Sequence, residues 1–425
     1  MRWTQLSAGA PWTPGRRNGG ARPYRGRLRT LLVAAAMLCG MLAVVPPAGA
    51  LPLKDVPEVG VDTGRFKLPI GCTISMAGLP FFYLPVDVDV QGVAPVQLGP
   101  GQEFWLTQGS GSITFPSWLT ALAPLLGLSK ADAKITDLSI GASTSTPESI
   151  NIAKDRPFEV KDIKIDAGKP LKVGLPLSGT FDVGPFKAAP SGATTLKFDR
   201  ALAEVDLRSD AGFSLPIKAD CKPSAGNALL KIAIGGPAGQ PPAKIKDAPL
   251  NFAEPETNQL IGIINAPYAC TLGGEPMDIG VAVGGHIPLT VKRGGTFSFT
   301  ESSGALTVPA ATVNKLIAKG HTKIAGRVTT LNLRVEGGTP AVQNVAAAGI
   351  DIPETTLVRD RKIVVSLPAG GTLTAGPFTP DAGAKSVAVL LGEAAASFTF
   401  DDGTPATGTC AAPSPKVYLV ENPVT

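Results

Sequence analysis

Two stretches of this chain decide its fold: Leu175-Pro-Leu-Ser-Gly-Thr-Phe-Asp-Val-Gly-Pro-Phe186 and Leu367-Pro-Ala-Gly-Gly-Thr-Leu-Thr-Ala-Gly-Pro-Phe378. They share Leu, Pro, Gly, Thr, Gly, Pro and Phe at the same positions. A second element behaves in the same way, because Pro69-Ile-Gly-Cys72-Thr73 recurs as Pro267-Tyr-Ala-Cys270-Thr271. Self-similarity of this kind, in the same order along the chain, predicts that one folding unit has been duplicated.

The residues between these elements support the duplication. Each copy ends at a further cysteine, Cys221 or Cys410. We therefore predict a signal peptide over residues 1–50, a β-rich repeat domain over 51–223, a proline-rich connector over 224–262 and a second repeat domain over 263–425. Without a gap, a single offset aligns identical residues of the two copies: Phe104, Gly111, Thr114, Pro116, Leu138, Thr146, Pro147, Asn151 and Ala153 with Phe297, Gly304, Thr307, Pro309, Leu331, Thr339, Pro340, Asn344 and Ala346.

The cysteines indicate one disulfide per repeat. Four of them remain once residues 1–50 are set aside, and an even number in an exported chain is typical of disulfides. Spacing alone leaves three pairings open. Because two copies of one fold should close in the same way, we predict bonds Cys72–Cys221 and Cys270–Cys410, each joining the first and last strands of its domain. The absence of a Cys-x-x-Cys motif disfavours a redox or metal role.

Within each copy the hydrophobic pattern is that of strands. Leu331, Leu333 and Val335 alternate with polar residues, which is typical of a strand with one buried face. Glycine and proline punctuate such runs as turns. Helical spacing occurs once per copy, over Ala310 to Lys319 and over the twin segment from Pro116 to Leu128. The predicted fold class is mainly β: two tandem antiparallel sandwich-like or barrel-like domains, each with one short inserted helix and one disulfide.

Charge and hydropathy in the first fifty residues indicate export. Seven arginines lie there with no Lys, Asp or Glu, followed by an apolar run from Leu31 to Val45 and by Ala48-Gly49-Ala50 before Leu51. This is the layout of a secretory signal peptide. The alternative is an N-terminal membrane anchor, which is disfavoured because the run is shorter than the roughly 20 residues that span a bilayer.

The rest of the chain is close to neutral. Of 39 Lys and Arg residues, 39 − 7 = 32 remain after residue 50 against 34 acidic ones, a net charge of −2. Such a protein has no overall electrostatic attraction to phosphate backbones, so we expect no nucleic-acid partner. No later stretch is long and apolar enough to predict a transmembrane span. We expect a secreted, extracellular protein that can associate with the cell envelope.

The chain has no recognisable catalytic set. The motifs Gly-x-Ser-x-Gly and Ser-x-x-Lys are absent after residue 50. The available imidazole bases are His286 and His321, for which surface or turn positions are the favoured interpretation. Asp87 and Asp89 share a strand face and Asp401 lies at a strand end, but neither place has the spacing of a calcium loop. We therefore expect no enzyme activity, no catalytic residues, no cofactor and no metal site.

The best functional irregularity is the first copy's helix, which is more apolar than its twin. The twin carries Thr312, Asn314 and Lys315 in this region. Packing of the apolar helix into the core or against the second domain is the favoured interpretation. The other is a site for an apolar ligand or a membrane surface. The residues concerned are Trp118, Leu119, Leu122, Leu125 and Leu126.

Taken together, the leader, the Pro-x-x-Cys-Thr openings, the Leu-Pro-x-x-Gly-Thr-x-x-x-Gly-Pro-Phe elements and the closing cysteines resemble secreted actinobacterial proteins. In these, a β-rich domain of unknown function occurs singly or in tandem. The resemblance implies fold and compartment, and supplies no functional residues. The sequence thus predicts a non-catalytic binding or scaffold protein. Its alternatives are a carrier of lipid or another apolar small molecule that uses the first domain, and a secreted hydrolase without a standard motif.

Overall fold

The computed structural model describes residues 59–64, 66–223, 227–236 and 259–425. The predicted signal peptide and most of the predicted connector lie outside these ranges. The described residues belong to one compact unit, which spans residues 47–425. Among them, no helix has the length and apolar character needed to cross a membrane.

The first repeat consists of strands with one helical segment between the fifth and the sixth. Its elements are β1 (Gly60–Asp62), β2 (Phe66–Met76), β3 (Leu79–Ala94), β4 (Gln97–Leu98), β5 (Glu103–Phe115), α1 (Ser117–Leu122), a 3₁₀ turn (Pro124–Leu126), β6 (Lys130–Ala142), β7 (Ser149–Asn151), β8 (Phe158–Lys164), β9 (Leu171–Leu175), β10 (Phe181–Lys187), β11 (Gly192–Arg208), β12 (Ser214–Pro223) and β13 (Ala228–Ile234).

The second repeat follows the same order. Its elements are β14 (Gln259–Leu272), β15 (Glu275–Pro288), β16 (Phe297–Val308), α2 (Ala310–Ala318), β17 (Lys323–Glu336), β18 (Gly338–Thr339), β19 (Val342–Asn344), β20 (Ile350–Thr356), β21 (Ile363–Leu367), β22 (Leu373–Pro380), β23 (Ser386–Phe400), β24 (Pro405–Cys410) and β25 (Tyr418–Pro423).

Eight antiparallel strands form the body of each repeat. In the first, the hydrogen-bonded order is β9-β5-β3-β2-β12-β11-β6-β8. In the second, it is β21-β16-β15-β14-β24-β23-β17-β20. The two orders correspond strand for strand. The structure therefore confirms the predicted fold class, mainly antiparallel β with one short helix and one disulfide per repeat.

Alternation along the strands builds the core. In β17, Leu331, Leu333 and Val335 are buried, whereas Arg334 between them is exposed. Apolar side chains from the inner faces of both repeats pack into a single continuous core. Burial of that surface is the main stabilising contribution to such a fold.

The disulfides join Cys72 to Cys221 and Cys270 to Cys410, the pairing that the repeat predicts. The predicted joining of first and last strands along the chain does not place the bonds at the edges of the sheet. Cys72 and Cys221 lie directly opposite each other on β2 and β12, in the middle of the strand order. Of the eight strands in the order above, β2 is the first and β12 the last along the chain, and the two are neighbours in the sheet. The chain then continues beyond the second cysteine into one more strand.

That additional strand is β13 in the first repeat and β25 in the second. β13 falls within the range predicted as connector, yet it pairs with β11 over Gly192 to Lys197. β25 pairs with the equivalent strand β23. Lys231 on β13 contacts Glu421 on β25 at 2.9 Å, and its ammonium lies over the ring of Tyr418. The two terminal strands thus bind the repeats to each other.

A second junction pairs the start of one repeat with the start of the other. β1 runs antiparallel to β14, with Asp62 opposite Ile263, and β2 continues the contact with Phe66 opposite Leu260. The offset that superposes Cys72 on Cys270 is 198 residues, which makes Asp62 the equivalent of Leu260. The contact therefore uses the same segment of each repeat. If the two repeats changed places, the pairing of these strands would shift by at most one residue.

Candidate functional site

The end of the first repeat that carries α1 gathers most of the exposed apolar side chains. Met76 and Leu79 pair at the tip of the β2–β3 hairpin. The β11–β12 hairpin beside it carries Phe213 at its tip. The amide of Ser129, just after the helical segment, donates to the carbonyl of Arg208 at 2.9 Å and so fixes that segment beside the same hairpin.

We call this surface the apolar rim. It holds nine of the thirteen large hydrophobic side chains that are exposed in the described residues, so the clustering is far from a random scatter. Exposed apolar side chains gathered at one end of a domain mark interaction sites. The rim consists of Met76, Leu79, Phe81, Tyr83, Trp118, Leu122, Leu125, Leu126 and Phe213.

The amphipathic pattern of α1 is inverted relative to that of α2. In α2, Val313 and Leu316 are buried against the core, and their equivalents in the first repeat are Thr120 and Ala123. On the outward face the relation reverses, since Leu122 and Leu126 stand where the second repeat has lysines. A helix that needed only to pack on its own sheet would place its large apolar residues inward. The first repeat places them outward.

The structure thus divides the predicted packing residues. Leu119 packs partly against the core. Trp118, Leu122, Leu125 and Leu126 do not, and their exposed fractions range from 45% to 80%. The favoured interpretation, packing into a core or against the second domain, is wrong for these four. Pro124 contributes to this result, because it has no amide to donate and the α-helix gives way to a 3₁₀ turn.

Polar contacts hold the helical segment in place despite its inverted pattern. The buried hydroxyl of Thr120 donates to the carbonyl of Lys169 at 2.7 Å, ahead of β9. Gly127 then ends the segment with φ of 69°, a left-handed conformation that favours glycine. Its twin Gly320 has φ of 95°. The two helical segments therefore begin after a proline and end at a glycine at equivalent positions, while the first ends as a 3₁₀ turn and carries different side chains.

The β2–β3 hairpin is longer than its twin at this end. Cys72 lies opposite Leu84, 12 residues on, whereas Cys270 lies opposite Met277, 7 residues on. The five extra residues carry the exposed side chains at the tip. Sequence reasoning missed this feature, although the difference in spacing after the two Pro-x-x-Cys-Thr elements is visible in the sequence.

The β11–β12 hairpin is extended as well. Twenty residues separate the paired Ala201 and Cys221, against sixteen between Ala394 and Cys410. The extension presents Phe213, which is 56% exposed. Two hairpins and a helix have thus all gained apolar residues at one end of one repeat.

The equivalent end of the second repeat is charged. Lys319 contacts Glu275 at 3.3 Å, and Lys323 contacts Glu354 at 2.7 Å. Asp401 accepts hydrogen bonds from Thr322, which lower the pKa of its carboxyl group. Such a surface needs no covering, because water solvates it.

Ion pairs lie beside the apolar rim, at the strand ends and in the β11–β12 turn. The guanidinium of Arg208 donates hydrogen bonds to Asp162 and Asp132, and these raise the pKa of Arg208 above its usual value. The exposed pairs here are Lys130 with Asp210 at 3.5 Å, Lys164 with Asp166 at 3.2 Å and Arg208 with Asp162 at 2.9 Å.

Internal cavities are small. One of ≈ 70 Å³ lies inside the second repeat and is lined by apolar side chains that include Leu316 and Met277. One of ≈ 80 Å³ lies where the repeats meet and another of ≈ 80 Å³ lies inside the first repeat, and Thr63 and Leu230 line both. A pocket that encloses a lipid or drug-sized ligand measures several hundred Å³. A pocket of ≈ 630 Å³ on the first repeat reaches this size, but it is open and lined by charged residues such as Asp132, Glu159 and Lys218. Neither the small apolar cavities nor this charged pocket supports the carrier interpretation.

The candidate chemical residues do not form one site. The ring of His321 stacks on Phe400 at 3.7 Å, while His286 is buried on β15 with its Nε2 3.6 Å from a carboxylate oxygen of Glu301. Asp87 is exposed on β3, two residues from the buried Asp89.

The carboxylate of Asp89 takes part in a local ion pair. Burial alone would raise the pKa of Asp89, but hydrogen bonds from Lys172 at 2.8 Å and from Ser112 at 3.1 Å outweigh it and lower the pKa. The described ranges contain no group of three or more His, Cys, Asp or Glu residues arranged to hold a metal ion.

Comparison with known proteins places only the second repeat. Residues 267–415, about a third of the chain, match a family of unknown function (DUF6801). No curated protein matches the chain.

Two solved structures show distant similarity. One is titled "Crystal structure of Putative membrane anchored protein from Corynebacterium diphtheriae"; it is 9% identical, with a TM-score of 0.25, over 85% of this chain and 98% of that chain. The other, "pT26-6p", is 10% identical, with a TM-score of 0.19, over 88% of this chain and 67% of that chain. Similarity at this level carries no argument about function.

Proposed function

We propose that this chain is an exported, non-catalytic binding protein that attaches to an apolar surface through the apolar rim of its first repeat. The observation that carries the proposal is the contrast between the two helices. At equivalent places in the two repeats, the second repeat buries Val313 and Leu316, whereas the first repeat exposes Leu122 and Leu126. A change in folding requirements does not account for that reversal, since the two helices connect equivalent strands of sheets with the same strand order.

Export is supported by the two disulfides and by the predicted signal peptide. Disulfides persist in oxidising compartments outside the cytosol. An exposed apolar surface on an exported protein is a cost unless a partner covers it, because it promotes aggregation. We therefore place the protein at the cell envelope or on another extracellular apolar surface, with the second repeat as the solvated part of the scaffold.

Retention of the secreted chain on the envelope of its own cells tests the proposal. The rim variant carries Leu122→Lys and Leu126→Lys, the residues that the second repeat has at these positions. The control carries Leu177→Lys and Val342→Lys, two substitutions of the same charge at exposed apolar positions outside the rim.

We expect the unmodified chain and the control to sediment with the envelope, and the rim variant to remain in the medium. Circular dichroism and non-reducing gels check that all three chains are folded and oxidised. Equal retention of the rim variant and the unmodified chain, or no retention of the unmodified chain, would overturn the proposal.

A further inference from the structure

The shape of the apolar rim narrows the kind of partner that it fits. We propose, building on the function proposed above, that the rim inserts into the boundary between headgroups and acyl chains of a lipid layer, and that it does so without requiring anionic lipid.

The first argument is that the rim protrudes. Its side chains stand on three separate tips, the two extended hairpins and the helical segment. Leu125, Leu79 and Phe81 have the largest exposed fractions, 80%, 72% and 69%. Residues that dominate protein–protein interfaces lie instead in well-packed pockets against a rigid partner. A fluid layer can close around separate tips, whereas a folded partner would need a matching hollow for each one.

The second argument is composition. The rim combines Leu, Met and Phe side chains with Trp118 and Tyr83. Indole and phenol rings have an apolar body and one polar atom, and they concentrate where acyl chains meet headgroups. The ring of Tyr83 lies across Gly71 of the neighbouring strand, where any larger side chain would collide with it. Gly71 therefore leaves room for the ring to lie flat along the outer face of the sheet.

The third argument is the charge around the tips. The ion pairs at the strand ends and in the β11–β12 turn contain both signs, with Lys130, Lys164 and Arg208 each facing an aspartate. A surface that recognises anionic lipid presents a cluster of unpaired Lys and Arg. Paired charges at the depth of the headgroups suit zwitterionic lipids instead, because ammonium and phosphate groups can each find an opposite charge.

A second copy of the chain is the competing occupant. Two rims in contact would bury the same side chains and would hide them from lipid. The oligomeric state is therefore measured first, by analytical ultracentrifugation of the oxidised chain. We expect a monomer. A dimer of the unmodified chain that is absent from the rim variant would overturn the lipid proposal.

Vesicle flotation is the decisive experiment. The full chain is produced by secretion so that both disulfides form, and the unmodified chain, the rim variant and the Leu177→Lys/Val342→Lys control are prepared identically. Any leader that remains is then common to all three. Vesicles consist of phosphatidylcholine alone, or of phosphatidylcholine with phosphatidylglycerol.

We expect the unmodified chain and the control to float with both kinds of vesicle to the same extent, at low and at high salt. The rim variant should partition about 100-fold less or weaker still, because two leucines no longer leave water on binding. Brominated lipids should quench the fluorescence of Trp118 at a depth of about 5–10 Å, and Trp118→Phe should remove that quenching.

The results separate this proposal from the one on which it rests. If the rim variant is lost from the envelope but the unmodified chain floats with neither kind of vesicle, the lipid proposal is overturned and the proposed binding function stands. If protease treatment of the envelope abolishes retention, the partner is a protein, and the lipid proposal is again overturned while the binding function stands. Flotation only with phosphatidylglycerol, or equal flotation of the rim variant, also overturns the lipid proposal. Absence of rim-dependent retention overturns both.

Discussion

Leu316→Ala in the second repeat should destabilise the protein much more than the matched change in the first. Leu316 is only 8% exposed and lines the internal cavity of ≈ 70 Å³. Replacing a buried leucine by alanine costs about 3–5 kcal/mol, and the cost grows with the void that remains. Because the surroundings of Leu316 already leave an open cavity, they have not collapsed onto it. We therefore expect about 4 kcal/mol.

The control is Leu122→Ala, the same chemical change on the outward face of α1. Leu122 is 45% exposed, so its removal loses about half of the burial and should cost about 1 kcal/mol or less. Urea unfolding at neutral pH with the disulfides intact measures both. Equal losses from the two substitutions would refute the claim that α2 turns its large apolar residues toward the core and α1 turns them outward, and with it the basis of the proposed function.

Two further predictions concern charged groups. The pKa of Asp89 is lowered in the folded state, so its ion pair with Lys172 stabilises the fold above the unfolded pKa of about 4 and ceases to do so as the pH falls through the lower folded value. Asp89→Asn should therefore flatten the loss of stability between about pH 5 and pH 2. An unchanged acid dependence of the urea midpoint would contradict this. Lys231 and Glu421 join the repeats with side chains only 20% and 19% exposed, so Glu421→Gln should cost about 2 kcal/mol, between the values for exposed and for buried pairs, whereas Glu275→Gln at an exposed pair should cost less than about 1 kcal/mol in the same urea titration.

The sequence predicts the parts of the fold that depend on local pattern and on the repeat. Cys72 and Cys270 stand in the same motif, so the pairing follows once the duplication is recognised. The alternation around Leu331 gives the inner face of β17, and the spacing of Val313 and Leu316 gives the buried face of α2. In each case the apolar residues mark one side of an element, and burial selects that side.

The sequence identifies the helical part of the apolar rim, but its pattern predicts the wrong buried face. Large apolar residues in this segment follow helical spacing and form one stripe, which ordinarily faces a core: Trp118, Leu119, Leu122, Leu125 and Leu126. In the structure, Thr120 and Ala123 occupy buried positions of this segment instead. The run from Leu79 to Leu84 is apolar on both faces of its strand, and alternation cannot orient it. Only the register of the folded strands shows that Leu79 lies at the hairpin tip.

The junction between β1–β2 and β14 has a consequence for the origin of the chain. A contact in which the same segment of two equal units meets itself is the isologous contact of a symmetric homodimer. Two separate single-repeat chains could form it with the register seen between Asp62 and Ile263. In such a dimer every substitution appears twice. Fusion into one gene removes the constraint that both halves change together. One repeat could then acquire exposed apolar side chains at one end while the other kept a charged, solvated surface.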